Sequence, residues 1–197
     1  MKKALYILIG LACAAGARAA VLDLDLSPPG TTPGVGLNPL NEVIPGFSSG
    51  SGNKMGSGIT FNTTSLTLNL SIGYGSSAGF TDLTGPGFSW LLHGPAHSGE
   101  TAPVLFDLGS FHTFAGDPAR GGTIVGSLTY TPGQAADLLA GLDYINIYTP
   151  ANLGGEIRGQ LVPVPEPAAW PLAAVGGLMF AGRWLFRRRS GPKRPGC

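Results

Sequence analysis

A two-residue rhythm, broken every few residues by glycine or proline, limits the fold more than any other feature. "VLDLDL" (Val21–Leu26) alternates apolar with acidic side chains, and "SLTLNLSIGY" (Ser65–Tyr74) sets Leu66, Leu68, Leu70 and Ile72 on one side. Successive side chains of an extended strand point to opposite faces, so this rhythm makes one dry face and one wet face. "FSWLLH" (Phe88–His93), "APVLFDL" (Ala102–Leu108), "GTIVGSLTY" (Gly122–Tyr130), "YINIY" (Tyr144–Tyr148) and "GEIRGQL" (Gly155–Leu161) read as further strands. Between them lie glycine, proline, serine and aspartate, which set turns. Glycine and proline make up 49 of 197 residues, close to the proportion at which a chain stops forming a core. The alternation decides for a folded domain.

One helix is expected among the strands. Thr131-Pro132-Gly133-Gln134 has a capping-box layout with Pro132 at the first helical position, and Gly141 ends the run. About two turns follow, with Leu138, Leu139 and Leu142 available to cover a sheet edge or barrel end. Many short strands and one short helix predict an all-β fold, an antiparallel β-sandwich or barrel. Ser48–Gly58, "SSGSGNKMGSG", reads as a flexible hairpin connection, and no internal repeat is evident.

Net charge is +1, but nine of the 12 basic residues lie near the two ends. From Ala20 to Pro165 only Lys54, Arg120 and Arg158 face ten acidic residues, a balance of −7. Such a domain repels phosphate backbones, so no nucleic-acid partner is expected. The cysteines, Cys13 and Cys197, lie in the end segments. A domain without them holds together by burial and not by disulfides.

The ends read as addresses. "MKKALYILIGLACAAGARAA" has a charged start, an apolar stretch and small residues at its exit. Ala17 and Ala19 fit the small-x-small rule, giving a signal peptide over 1–19 cut by signal peptidase. An uncleaved anchor would need a longer apolar run. A lipoprotein signal ending at Cys13 would want a leucine three residues earlier, which "GLAC" lacks. At the far end, Ala168–Phe186 is apolar except for Arg183. Its length is just enough for a transmembrane helix if Arg183 snorkels. The basic cluster Arg187, Arg188 and Arg189 then stays cytoplasmic, with the acidic domain outside. Pro165-Glu166-Pro167, this helix and the arginines closely resemble the PEP-CTERM sorting signal of Gram-negative bacteria. The resemblance implies an exosortase as partner, transient anchoring in the inner membrane, cleavage near the motif, and a final place at the cell surface or outside. A tail that is never cut is the competing expectation. Three regions result: 1–19, a β domain over 20–162, and 163–197.

"LNEVIP" (Leu40–Pro45), "LHGPAHSGETAPVLFDLG" (Leu92–Gly109), "AADLLAGLDYINIYT" (Ala135–Thr149) and "GGEIRGQL" (Gly154–Leu161) resemble the CHRD domain, named from chordin and found in many bacterial surface proteins. Chordin binds extracellular growth factors; the bacterial members supply no settled activity to carry over. The family pattern usually reads His-x-His-Gly-Pro, with a further histidine before "GGEIRGQ", and such histidines could converge on a metal. Here Leu91 and Tyr148 occupy two of those positions, leaving His93.

His93 therefore has two readings: a metal ligand, or a strand-end histidine bonded to turn backbone beside Gly94-Pro95. One ligand rarely makes a site, which favours the second. Glu156 and Arg158, two apart on a strand, are expected to point the same way, as a recognition pair or as turn-holding structural charges. Trp90, Tyr144 and Tyr148 are either exposed glycan contacts or core residues. His97 with Glu100 reads as a solvated loop pair. Asp82, Asp107 and Asp117 match no calcium-loop spacing. No nucleophile elbow, metalloprotease helix, phosphate-binding glycine loop or zinc-spaced cysteine pair occurs. The sequence thus predicts no catalytic residue, no metal and no cofactor. It predicts a non-enzymatic surface or matrix module, with exopolysaccharide or envelope proteins as partners. The alternative is a metal-dependent binding protein or enzyme centred on His93.

Overall fold

The computed structural model describes residues 21–26, 35–43, 49–115 and 120–164. The signal segment with Ala17 and Ala19, the Pro165-Glu166-Pro167 motif, the apolar stretch 168–186, Arg187–Arg189 and Asp117 lie outside the described residues. Among the described residues no helix is long and apolar enough to cross a membrane.

Ten strands are described: β1 (Val21–Leu26), β2 (Gly52–Lys54), β3 (Ile59–Asn62), β4 (Thr67–Tyr74), β5 (Ser89–His93), β6 (Val104–Asp107), β7 (His112–Ala115), β8 (Gly121–Thr129), β9 (Tyr144–Thr149) and β10 (Asn152–Pro163). One helix, α1 (Pro132–Leu139), lies between β8 and β9. The strands form one antiparallel sheet in the order β6-β5-β9-β10-β1-β3-β4-β8-β7, with β2 also on β4. The fold is therefore mostly β, a half-barrel with one helix, and not two separate sheets.

Long β10 joins the two halves. Its residues up to Gln160 pair with β9, and Leu161–Pro163 pair with β1. Where β1 has left the ladder, Leu37 and Asn38 bridge Gly52 and Arg158. The two halves face each other across one core that includes Leu24, Phe61, Ile72, Leu92, Ile145 and Ile157. Fully burying each such side chain stabilises the fold by about 1.5–3 kcal/mol. Trp90 of β5 reaches across to donate from Nε1 to the Tyr74 hydroxyl of β4 (2.9 Å), while His112 of β7 stacks on its indole at 3.7 Å. Tyr74 Oη in turn lies 2.5 Å from His112 Nε2. With its oxygen accepting from Trp90, the Tyr74 hydroxyl donates a hydrogen bond to the imidazole. Burial holds His112 down to about 4, so that it is neutral and accepts.

The sheet ends, β6 and β7, are not paired with each other. Apolar packing joins them to the rest: the Phe106 ring lies 5.2 Å from that of Tyr130, and Phe111, in the turn between β6 and β7, packs over Gly126 of β8. A Cβ at Gly126 would run into that ring.

The helix follows its sequence signals. Thr131 Oγ1 accepts from Gln134 N, and Gln134 Oε1 accepts from Thr131 N, which completes the capping box. Leu138 is buried, whereas Leu139 faces solvent. The expected flexible connection over Ser48–Gly58 is corrected: Gly52–Lys54 form β2 on β4. Its glycine explains the misreading, because Gly52 sits where a Cβ would meet Gly73 O and Tyr74 Cβ, so close packing and not freedom requires it.

Two glycine substitutions separate packing from propensity. Gly126→Ala should lower stability by about 1–3 kcal/mol through overpacking against Phe111. Gly133→Ala, in α1 with open space around it, should raise it by up to about 1 kcal/mol. Urea unfolding midpoints of the two variants check both signs.

Candidate functional site

Residues paired directly across antiparallel strands share a face of the sheet. Ser89 pairs with Tyr148, Leu91 with Asn146 and His93 with Tyr144; Asn146 then pairs with Arg158 and Tyr144 with Gln160. One face of β5, β9 and β10 is thus polar, and its reverse, with Trp90, Leu92, Ile145 and Ile157, is core. Most of the polar face is buried too: Arg158 is 1% exposed, Gln160 2% and Tyr144 2%.

The loop 94–103 covers it. Arg158 Nη1 donates to Glu100 O (2.6 Å), and Nη2 to His97 O (3.3 Å) and Gln160 Oε1 (3.1 Å). Its guanidinium lies flat over the Tyr144 ring, 3.5 Å from the centroid, a stacking that the planar delocalised cation favours. Gln160 Nε2 donates to Ala96 O and Gly141 O, both at 2.9 Å. The Tyr144 hydroxyl accepts from Ala102 N (3.1 Å). Gly94 begins the loop because a Cβ there would strike the Asp143 carboxylate. Burial pushes Asp143, beside Tyr130, up to about 7.

His93 belongs to the same grip. Its Nδ1 lies 2.9 Å from Ala102 O, so Nδ1 carries the proton and donates. Nε2 accepts from the Tyr148 hydroxyl at 2.9 Å, and the His93 ring stacks on Tyr144. Burial holds His93 below its ordinary range, and burial pushes Tyr148 up to about 12. Histidine, phenol and loop carbonyl are therefore neutral partners at pH 7. The three positions where the resembled pattern carries histidine, 91, 93 and 148, do share one face. The phenol of Tyr148 fills the space before Nε2 with a hydrogen bond. Among the described residues no group of three or more His, Cys, Asp or Glu side chains is placed to hold a metal ion.

Glu156 and Arg158 are bonded to different parts of the chain. The β9–β10 register shifts between Asn152 and Ile157, and Gly155 has φ +117°, as a bulge that re-aims its neighbour. Glu156 accepts from Thr84 N, Thr149 Oγ1 and Asn152 Nδ2. None of these is a partner of Arg158. Glu156 ties a loop and a strand end, and Arg158 ties 94–103. Trp90 and Tyr144 are buried, while Tyr148 is half-buried beside the exposed ring of Phe88. His97 and Glu100 are exposed and close the loop on itself, His97 N donating to Glu100 Oε2 and Glu100 N to His97 O. Asp82 and Asp107 each accept from nearby backbone, Ser76 N and Gly109 N. A groove of about 340 Å³ lined by Asp23, Lys54 and residues 55–59 contains none of these residues.

Sequence reasoning missed Glu42 and Asn146. Glu42 is 7% exposed, and Asn146 Nδ2 donates to its Oε2 at 3.3 Å. "LNEVIP" carries Glu42, but no local pattern says that a carboxyl following a short turn will be buried 104 residues away from its partner.

If Arg158 and Gln160 hold one loop together, their losses should not add. Arg158→Met, which keeps much of the stem, should cost about 2–4 kcal/mol because buried acceptors lose their donors. Gln160→Ala on that background should cost less than on the wild type, with a coupling of about 0.5–3 kcal/mol. Urea unfolding of the four-member cycle measures it.

No curated protein and no solved structure matches the chain. A family model described as the CHRD domain matches residues 34–161. The two motifs that interlock, the loop after His93 and the strand of Glu156 to Gln160, both fall inside that span. The chain belongs to the CHRD domain family.

Proposed function

We propose that the protein is exported and works at the cell surface or in the extracellular matrix of a Gram-negative bacterium. Its CHRD domain serves as a binding or structural module, and its tail serves as an exosortase sorting signal. The observation that carries the reading for the domain is the use made of its signature residues. Arg158, Gln160, Tyr144 and His93 each make at least one hydrogen bond to backbone of loop 94–103. The family motifs thus build a presented loop, whose Pro95, His97, Ser98, Glu100 and Thr101 are exposed. A rigidly held polar loop suits recognition of an exopolysaccharide or an envelope protein, since ordering costs little on binding. The acidic balance of the domain and the order of motif, apolar stretch and arginines support the address.

Intact mass of protein recovered from its host, with membrane and extracellular fractions kept apart, tests both ends. The expected species runs from Ala20 to near Pro165 and is found outside the membrane. A membrane-bound species still ending at Cys197 would overturn the sorting reading. Incubating the extracellular species with the host's own exopolysaccharide and with outer envelope fragments tests the module. Co-sedimentation with either, weakened when Glu100 and His97 are replaced by alanine, is expected; sedimentation with neither refutes a binding role.

A further inference from the structure

Glu42 follows the short 3-10 turn Pro39–Asn41, and the segment is fixed to β10 from two directions. Asn38 and Arg158 exchange backbone hydrogen bonds of 3.0 and 3.2 Å, and Asn41 Nδ2 donates to Arg158 O at 2.9 Å. The Glu42 side chain lies against Asn146 of β9. One pair of atoms is bonded, Asn146 Nδ2 to Glu42 Oε2. The other pair, Glu42 Oε1 and Asn146 Oδ1, is buried with no hydrogen-bond partner. Both oxygens lie around one spot over Gly155, 2.5 and 2.6 Å from where its Cβ would be, with Asn146 Nδ2 beside them at 2.4 Å.

Two buried acceptors facing one spot are costly. A single proton removes the conflict. A neutral carboxyl donates one bond to the amide and accepts the other, closing a ring in which every polar atom is used. Exchanging the oxygen and nitrogen of the Asn146 amide changes nothing, for the acid still gives one bond and takes one. We propose that Glu42 is a protonated acid paired with Asn146 in this two-bond ring, and that its ionisation unlatches the Asn38–Val43 segment from the face of β9 and β10.

The groups around it set the balance. From β10, Arg158 favours the ionised acid through space, but its own donors are committed to Glu100, His97 and Gln160. From β9 come Tyr144 under the guanidinium and Tyr148, a phenol neutral at this pH; His93 of β5, behind Tyr148, is neutral too. Burial pushes Glu42 up to about 7, offset in part by Arg158 and Asn146. Unfolded, Glu42 loses its proton at its ordinary 4.5; folded, at about 7. The stability supplied by the neutral acid is complete below pH 4.5 and is lost as pH rises through 7. The latch is closed in acid and opens toward the alkaline side.

The chain has four glutamates, Glu42, Glu100, Glu156 and Glu166, so full-length protein labelled with carbon-13 at the glutamate carboxyl gives a readable NMR titration. One carboxyl carbon should titrate within about a unit of 7, and the Asn146 side-chain amide should move with the same midpoint. Between pH 6 and 8 the amides of Asn38 and Arg158 should exchange about tenfold faster than hydroxide catalysis alone predicts. Glu42→Gln, which pairs with Asn146 without any proton, should abolish that excess. Four glutamates titrating near 4–5 would overturn the acid–amide pair. A carboxyl near 7 with no excess exchange, or an excess that persists in Glu42→Gln, would overturn the latch. The wild-type data decide even if the variant does not fold.

Discussion

A guanidinium taken out of water must find partners for its donors, and in this domain that requirement organises one whole side. Arg158 sits in the middle of β10, flat on Tyr144, with donors turned to two carbonyls of loop 94–103 and to Gln160. The Born cost of burying such a charge is large, and well-placed acceptors are needed to offset it. The loop must therefore run where the fork reaches. That places Ala96 for Gln160 and Ala102 for both Tyr144 and His93. Lysine, with a point charge and no plane to stack, would not impose the same path.

A second consequence is that β9 and β10 are covered on both faces. Their inner side chains, Ile145, Ile147 and Ile157, enter the core, while their outer ones make the polar network. An apolar face fixes volume closely but sets no direction, because dispersion contacts have none. The outer face does set direction, since each hydrogen bond fixes an angle as well as a distance. The half-barrel is thus fixed in volume by one side of these strands and in direction by the other.

Strand rhythm made most of the ladder legible, and β1 runs over Val21–Leu26 as the alternation of "VLDLDL" predicts. The capping box of α1 was equally local and equally readable. Short strands without a clear rhythm escaped: β2 is three residues of glycine-rich chain, and its pairing is decided by β4. At the site, the turn beside Gly94-Pro95 was the legible neighbour of His93, but the carbonyl it bonds is Ala102 O, nine residues on at the far end of the loop. The separate partners of Glu156 and Arg158 were not legible, because the register shift before Ile157 and the positive φ of Gly155 are features of the folded strand pair. Glu42 with Asn146 was invisible, since burial of a carboxyl is a property of the assembled fold and leaves no mark on its neighbours in sequence.

The two ends of the β domain leave it side by side. Leu24 of β1 lies opposite Pro163 of β10, and Val164 N donates to Asp23 O just beyond. Strands that meet this way have opposite mechanical responses to two kinds of load. Pulled apart by its two ends, the pair would peel, breaking one hydrogen bond at a time, which takes little force. Held by one end only, with the load applied elsewhere on the domain, the same ladder is not peeled from its ends at all. A load carried through a single terminus therefore spares this ladder the peeling that opposed pulling on both would cause.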